Sequence, residues 1–229
     1  MLFRSLRASG YPGRIFAVNP RHEKVYDLKC HPTVAAIGEP VDCVVLAVAR
    51  DQAPEQLRQA AAAGAKGAVI VSGGFRETGE EGIRLERELT EIAKQHGIRC
   101  VGPNTIGYVN VADRVGCYAA SLPQTEPGCI AATVQSGTVA GALGGAGRGL
   151  KLSHLVSTGN ETDVDTAELI DWFVDRPDVK VILAFVENIA RPEAFLAAAA
   201  RARAAGKPLV LLKAGLSEAG SRMTATHTG

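Results

Sequence analysis

The sequence predicts an α/β protein of two doubly wound domains built on parallel sheets. Three observations lead there. Short, continuously apolar runs alternate with helical stretches, the pattern of parallel strands covered on both faces. Nearly every run ends in a cluster of Gly, Pro, Asn or Ser, as strand–loop–helix units do. The chain is 229 residues long and 46% hydrophobic, enough to fill the cores. The right-handed crossover rule then makes a doubly wound topology the economical one.

Residues 1–10 read as a helix running into the Gly10-Tyr11-Pro12-Gly13 stop. Arg14–Val18 is a short strand ended by Asn19-Pro20, and Asp42–Ala49 is a second, continuously apolar strand. Gln52–Ala63 is an alanine-rich helix closed by Gly64, Lys66–Ser72 a third strand leading to Gly73-Gly74-Phe75. Glu77–His96 is a long charged helix stopped by Gly97, and Arg99–Val101 a fourth strand ending in Gly102-Pro103-Asn104. Residues 111–128 lack helical periodicity and carry Pro123 and Pro127, so they read as a passage between domains. Beyond it, Cys129–Val134 is a strand and Gln135-Ser136-Gly137-Thr138 opens a small-residue helix to about Gly147. Leu152–Ser157 is a strand, Asp163–Asp175 a helix with Val164, Ala167, Ile170 and Phe173 or Trp172 inward, and Val179–Val186 a strand ending at Glu187. Pro192–Ala205 is a helix closed by Gly206, and the apolar run Leu209–Leu212 is expected as a buried strand.

Bulk properties exclude several classes. A net charge of +1 gives no electrostatic footprint for nucleic acid or an anionic membrane. Five dispersed cysteines without a Cys-x-x-Cys pair suit a reducing cytosol, so a cytoplasmic location is expected. No apolar run approaches the ~18–20 residues of a membrane span, and no secretory signal opens the sequence. His22, His31, His96 and His154 lack metal-ligand spacing, so no metal is expected on this chain. The first half carries no Gly-x-Gly-x-x-Gly, which argues against a nicotinamide dehydrogenase.

In the second half four strand ends converge on one rim, where open α/β sheets bind ligands. They carry Gln135–Thr138, Gly159-Asn160-Glu161, Glu187 and the loop from Lys213 to His227. Free N–H groups at the helix start of Ser136-Gly137-Thr138 make an anion site, although the same residues would serve as a plain N-cap. Glu187 could bond one ring nitrogen of His227, fixing its tautomer and stabilising a positive or phosphorylated ring. Both residues would also be unremarkable as a solvated strand end and a solvated loop histidine.

Several motifs stand in one order: Gly102-Pro103-Asn104 with Gly107, Gln135-Ser-Gly-Thr138, Thr158-Gly-Asn-Glu-Thr-Asp-Val-Asp165, and Lys213-Ala-Gly through Ser217-Glu-Ala-Gly220 to Thr226-His-Thr-Gly229. Over essentially its whole length the chain resembles the CoA-binding, α-type portion of the nucleoside-diphosphate-forming acyl-CoA synthetases, which include ADP-forming acetate–CoA ligases and the succinyl-CoA synthetase α subunit. The His-Thr-Gly form is closer to the acetate type. The resemblance implies a truncated Rossmann-like CoA-binding domain at 1–120 and a flavodoxin-like, succinyl-CoA synthetase-type domain at 121–229. It implies that His227 is transiently phosphorylated, that Glu187 steadies it, and that Gln135, Ser136, Gly137 and Thr138 hold phosphate. It places Asn19, Pro20, Val48 and Ala49 at the CoA nucleotide, and Gly74, Phe75 and Asn104 near the pantetheine arm.

The reaction so implied is a phosphoryl relay. Acyl-CoA and phosphate give acyl phosphate and CoA, His227 takes the phosphoryl group, and ADP receives it; the reverse direction makes acyl-CoA from a carboxylic acid with ATP. CoA is the ligand expected here, with ATP or ADP and Mg2+ on an ATP-grasp domain or β subunit, in an expected oligomer. Three positions depart from the family pattern: Val134 where a serine is common, Ala49 where a proline is usual, and Thr105 where a cysteine is common. The opening strand and glycine-rich turn of the first domain look absent, and the last unit looks unfinished, as in a fragment of a longer protein. The alternative reading is a non-catalytic CoA-binding module, such as the regulatory part of a protein acyltransferase.

Overall fold

The computed structural model describes residues 2–120, 126–145 and 150–217. The described chain contains six α-helices and twelve strands. In order they are α1 (Leu2–Ala8), β1 (Ala17–Val18), β2 (Lys24–Val25), β3 (Leu28–His31), β4 (Cys43–Leu46), α2 (Ala53–Ala62), β5 (Gly67–Ile70), α3 (Glu80–His96) and β6 (Arg99–Val101). There follow β7 (Gly107–Asn110), β8 (Val115–Tyr118), β9 (Ile130–Val134), α4 (Gly137–Gly145), β10 (Leu152–Ser157), α5 (Thr166–Asp175), β11 (Val181–Val186), α6 (Pro192–Ala204) and β12 (Leu209–Lys213).

The first parallel sheet has the order β4-β5-β6. α2 and α3 pack together against it because their apolar residues recur at helical spacing. Ala53, Leu57 and Ala60 point inward from α2, and Leu85, Leu89, Ile92 and Ala93 from α3, meeting Val44, Leu46, Ala68 and Ile70. Each fully buried Leu or Ile there contributes ~1.5–3 kcal/mol. Gly97, at φ 63°, closes α3 in the left-handed conformation that its missing Cβ permits.

The second sheet has six strands in the order β12-β11-β9-β10-β7-β8. β9 to β12 are parallel, and β7 and β8 are antiparallel additions beside β10. One face is covered by α5 and α6 through Ile170, Phe173, Phe195 and Ala198. The other carries Ala132, Val134 and Leu155 with Ala140 of α4 and Tyr118 of β8. β9 and β10 are almost wholly buried, and they bury the polar Thr133, Ser153, His154 and Ser157 along with their apolar residues.

Three elements differ from expectation. Leu209–Leu212 forms a strand but not a buried one: β12 lies at the sheet edge, and Val210, Leu211 and Leu212 are 56%, 42% and 63% exposed. An apolar run reports strand formation and not which neighbour covers it. Within the stretch read as a passage, Val115–Tyr118 pairs with Gly107–Asn110 as a hairpin. Asn110 Oδ1 accepts from Asp113 N–H at 3.1 Å, so a side-chain bond closes the reversal without glycine. β2 and β3 form a further hairpin about Tyr26, whose φ of 55° stands where turn chemistry favours Gly or Asn. Among the described residues, no helix is long and apolar enough to cross a membrane.

Candidate functional site

The carboxyl ends of β9 and β11 lie side by side, and Gln135 fastens them together. It is 4% exposed. Its Oε1 accepts the backbone N–H of Glu187 at 2.6 Å and of Asn188 at 2.9 Å, while Nε2 donates to Asn188 O at 2.7 Å. The Gln135 amide is therefore committed to neighbouring protein groups, chiefly the Glu187–Asn188 loop, and it shapes the site from within. Lys213, at the end of β12, donates from Nζ to the Glu187 carbonyl at 2.8 Å and also to Ala214 O. Glu187 is thus positioned from two neighbouring strands, as convergent strand ends allow.

Next to Gln135, α4 begins at Gly137. Ser136 Oγ accepts from Val139 N–H at a long 3.4 Å, the capping bond foreseen as the alternative to anion binding. Thr138 is exposed at the first turn and Gly137 half-buried. A Cβ on Gly137 would approach Ile106 Cγ2 to 3.1 Å, so this helix start is set close against the Asn104–Ile106 segment. Val134 is buried in the core, and its carbonyl accepts from Thr158 N–H at 2.9 Å.

A buried carboxyl lies under the same rim. Glu161, at φ 56°, accepts from Thr158 Oγ1 at 2.8 Å and from Thr166 N–H at 3.1 Å, and Gln135 bonds it as well. Burial raises its pKa, with the donors from Thr166, Thr158 and Gln135 acting in the opposite sense. Asp165 caps α5 through Glu168 N–H at 2.9 Å and takes a bidentate pair from Arg191 at 2.6 and 2.7 Å. Its burial pushes the carboxyl up, but Arg191 and the cap outweigh this and hold it below the usual carboxylate range.

The rim of the first sheet meets this site through Gly159. A Cβ there would lie 2.2 Å from Pro103 O and 2.6 Å from Asn104 O, so only glycine lets the two loops approach. Asn104, at φ 59°, is half-buried, and its Oδ1 lies 3.0 Å from the Cβ position of Gly73. Gly74, at φ 94°, donates its N–H to Glu77 Oε1 at 2.6 Å and receives Arg50 Nη1 on its carbonyl at 2.7 Å. Phe75 is fully buried in the core with Leu85 and Leu89. Its side chain is therefore unavailable to any ligand on the rim. Val48 is half-buried and Ala49 exposed at the end of β4, while Asn19 and Pro20 follow β1, with Asn19 Oδ1 accepting Arg21 N–H at 2.8 Å.

The structure therefore brings together Gln135, Ser136, Gly137, Glu187, Asn104 and Gly74 through directly bonded or touching loops. His227 lies outside the described residues. Sequence reading placed Asn160 and Glu161 on the rim but gave them no role, and it did not single out Glu77. The signal available was the Thr158–Asp165 motif itself, whose polar residues follow directly on a buried strand.

The comparisons agree with this arrangement. Residues 1–110 match a family model described as a CoA binding domain, and residues 127–229 one described as a succinyl-CoA ligase like flavodoxin domain. A trans-feruloyl-CoA synthase from an unknown prokaryotic organism is 40% identical across all of this chain, which covers 33% of that protein. The α subunit of the ADP-forming acetate–CoA ligase II of Pyrococcus furiosus is 35% identical over 95% of this chain and 47% of its own length. Among solved structures, a dinucleotide-forming acetyl-coenzyme A synthetase 1 of Candidatus Korarchaeum cryptofilum, in complex with phosphate and ADP, superposes with a TM-score of 0.90 at 33% identity. That match covers all of this chain and 49% of the other. The chain thus spans a third to a half of the length of these relatives. With its two matched regions in this order, the chain belongs to the CoA-binding, α-type portion of the nucleoside-diphosphate-forming acyl-CoA synthetase family.

Proposed function

We propose that this chain binds CoA and relays phosphate through His227 as part of an ADP-forming acid–CoA ligase. The observation that carries the reading is the Gln135 clasp. It places the Glu187 loop beside the α4 helix start, while Gly159 brings the Asn104 and Gly74 rim up to the same point. Phosphate, a thioester carbonyl and an imidazole must meet for this chemistry, and holding them together supplies most of what it needs.

CoA fits the residues present. Gly73 is exposed beside half-buried Gly74 and Asn104, a surface that would receive the arm, and Pro20 and Ala49 are exposed beside half-buried Asn19 and Val48, where the nucleotide would lie. CoA supplies the thiol that leaves or attacks the acyl carbon. The N–H groups at Gly137 and Thr138, with the Thr138 hydroxyl, hold phosphate in line with that carbon. Glu187, set by Gln135 and Lys213, accepts a hydrogen bond from one nitrogen of His227 and leaves the other as nucleophile. Neutral imidazole is the dominant form at physiological pH because its unperturbed pKa is about 6.5. ATP or ADP with Mg2+ belongs to an ATP-grasp domain or β subunit, and division of labour between residues 1–120 and 121–229 is part of the same proposal.

Incubation with labelled ATP, magnesium and an ATP-grasp partner is expected to leave an acid-labile, base-stable phosphoryl label on the chain. His227→Ala is expected to abolish it, at least about a hundredfold, since an absent nucleophile has no substitute. Label of equal intensity in that variant overturns the relay.

A further inference from the structure

Asn160 is 3% exposed and faces away from the Gln135 clasp, toward the first sheet. Its Nδ2 donates to Glu77 Oε2 and to Glu86 Oε2, both at 3.0 Å. Its Oδ1 accepts from Asn104 Nδ2 at 3.4 Å, and its backbone N–H donates to Pro103 O at 3.0 Å. The other oxygen of Glu77 holds the Gly74 N–H at 2.6 Å. Glu86 is 4% exposed and is paired with Arg76, whose Nε donates at 2.7 Å and whose Nη2 donates to the same oxygen. The adjacent Glu161 turns the opposite way, to Thr158, Thr166 and Gln135. A continuous bonded path therefore runs from the Gly74 backbone through Glu77 and Asn160 into the loop that supports Gln135 and Glu187.

We propose that Asn160 is a positioning residue that sets the Gly73–Phe75 loop in register with the phosphate-side cradle by donating to Glu77. The inference rests on the reading of these two loops as the pantetheine and phosphate sides of one site. Only a primary amide suits the position. Two hydrogens on one atom serve two carboxylates, while the oxygen on the same group meets Asn104. A carboxylate there would face Glu77 and Glu86 with no proton to share, and a small apolar residue would take the donor from half-buried Glu77 Oε2 and leave Glu86 Oε2 only the Arg76 N–H at 3.3 Å.

The donor and acceptor can be exchanged, which separates positioning from bulk stability. Asn160→Asp removes the donor. Glu77→Gln keeps an oxygen for Gly74 but turns an amide NH2 against the Asn160 amide. When Glu77→Gln and Asn160→Asp are combined, the new amide keeps its oxygen on Gly74 and donates to the new carboxylate. The link is then restored with reversed polarity, although the introduced carboxylate still faces Glu86. Hydrogen exchange at the Gly74 amide is expected to accelerate about tenfold in each single variant and to return to within about threefold of wild type in the double. The dissociation constant for CoA, measured by calorimetry on the full chain, is expected to follow the same pattern. Thermal melts of all four proteins separate these effects from unfolding. Single variants with wild-type Gly74 exchange overturn the inference, as does a double variant no better than the worse single one. If the exchange pattern holds but wild-type protein binds no CoA, the link stands and the CoA reading falls.

Discussion

Gly159→Ala is expected to lower stability by about 3 kcal/mol or more, seen as a fall in melting temperature of roughly 6–12 °C. Two costs add. The residue sits at φ 62°, in the left-handed region, which costs a side-chain-bearing residue ~1–2 kcal/mol. The added methyl would also stand 2.2 Å from Pro103 O, 2.6 Å from Asn104 O and 2.8 Å from Asn104 C, all backbone atoms that cannot swing aside. Relief requires the Gly102–Asn104 turn to part from the Thr158–Asp165 loop. That movement breaks the bonds from Asn160 N–H and Thr162 N–H to Pro103 O and Gly102 O. Gly64→Ala provides the control: φ is 91° there, but nothing lies within 4 Å of the new Cβ. It is expected to cost only the conformational part, about 1–2 kcal/mol. Equal losses at the two positions would show that the close approach at Gly159 carries no energy.

The second large effect is expected from Gln135→Ala. The truncation leaves Glu187 N–H, Asn188 N–H and Asn188 O without their partner, at about 1–3 kcal/mol for each group that water does not reach. Asn188 is exposed, so water rescues part of this, and a net loss of about 2–3 kcal/mol is expected in urea unfolding. The effect on the reaction should be larger than the effect on stability. Without the clasp the Glu187 loop loses its fixed place beside the α4 helix start, and misplacement by an ångström costs about a hundredfold in rate. Labelling of His227 by ATP and the partner should therefore slow by about that factor while CoA affinity stays within about threefold. A variant that labels at the wild-type rate would remove Gln135 from the site.

Much of this was legible in the chain, for physical reasons that differ by element. β5 and β9 are largely buried and almost wholly apolar, so those runs announce themselves. α3 announces itself through the spacing of Leu85, Leu89 and Ile92 and through Gly97. The two hairpins were hidden because Tyr26 and the Asn110–Asp113 pair make reversals without Gly or Pro. The exposure of β12 was hidden because apolar character does not say what lies beside a strand. At the site, the rim residues were legible as loops after strands, but their division of labour was not. Gln135 is oriented inward at a neighbouring loop, Phe75 is sunk into the core, and Asn160 joins carboxylates from α3 and its approach. Such pairings depend on which loops fold against each other, and their sequence separations of 83 and 74 residues leave no local trace.

Calorimetric titration of the 229-residue chain with CoA tests the central claim most directly, because the proposed pantetheine and nucleotide contacts are residues within it. The account predicts saturable binding at one CoA per chain, competed by an acyl-CoA and weakened by Asn160→Asp. A flat titration of protein that melts cooperatively would contradict it.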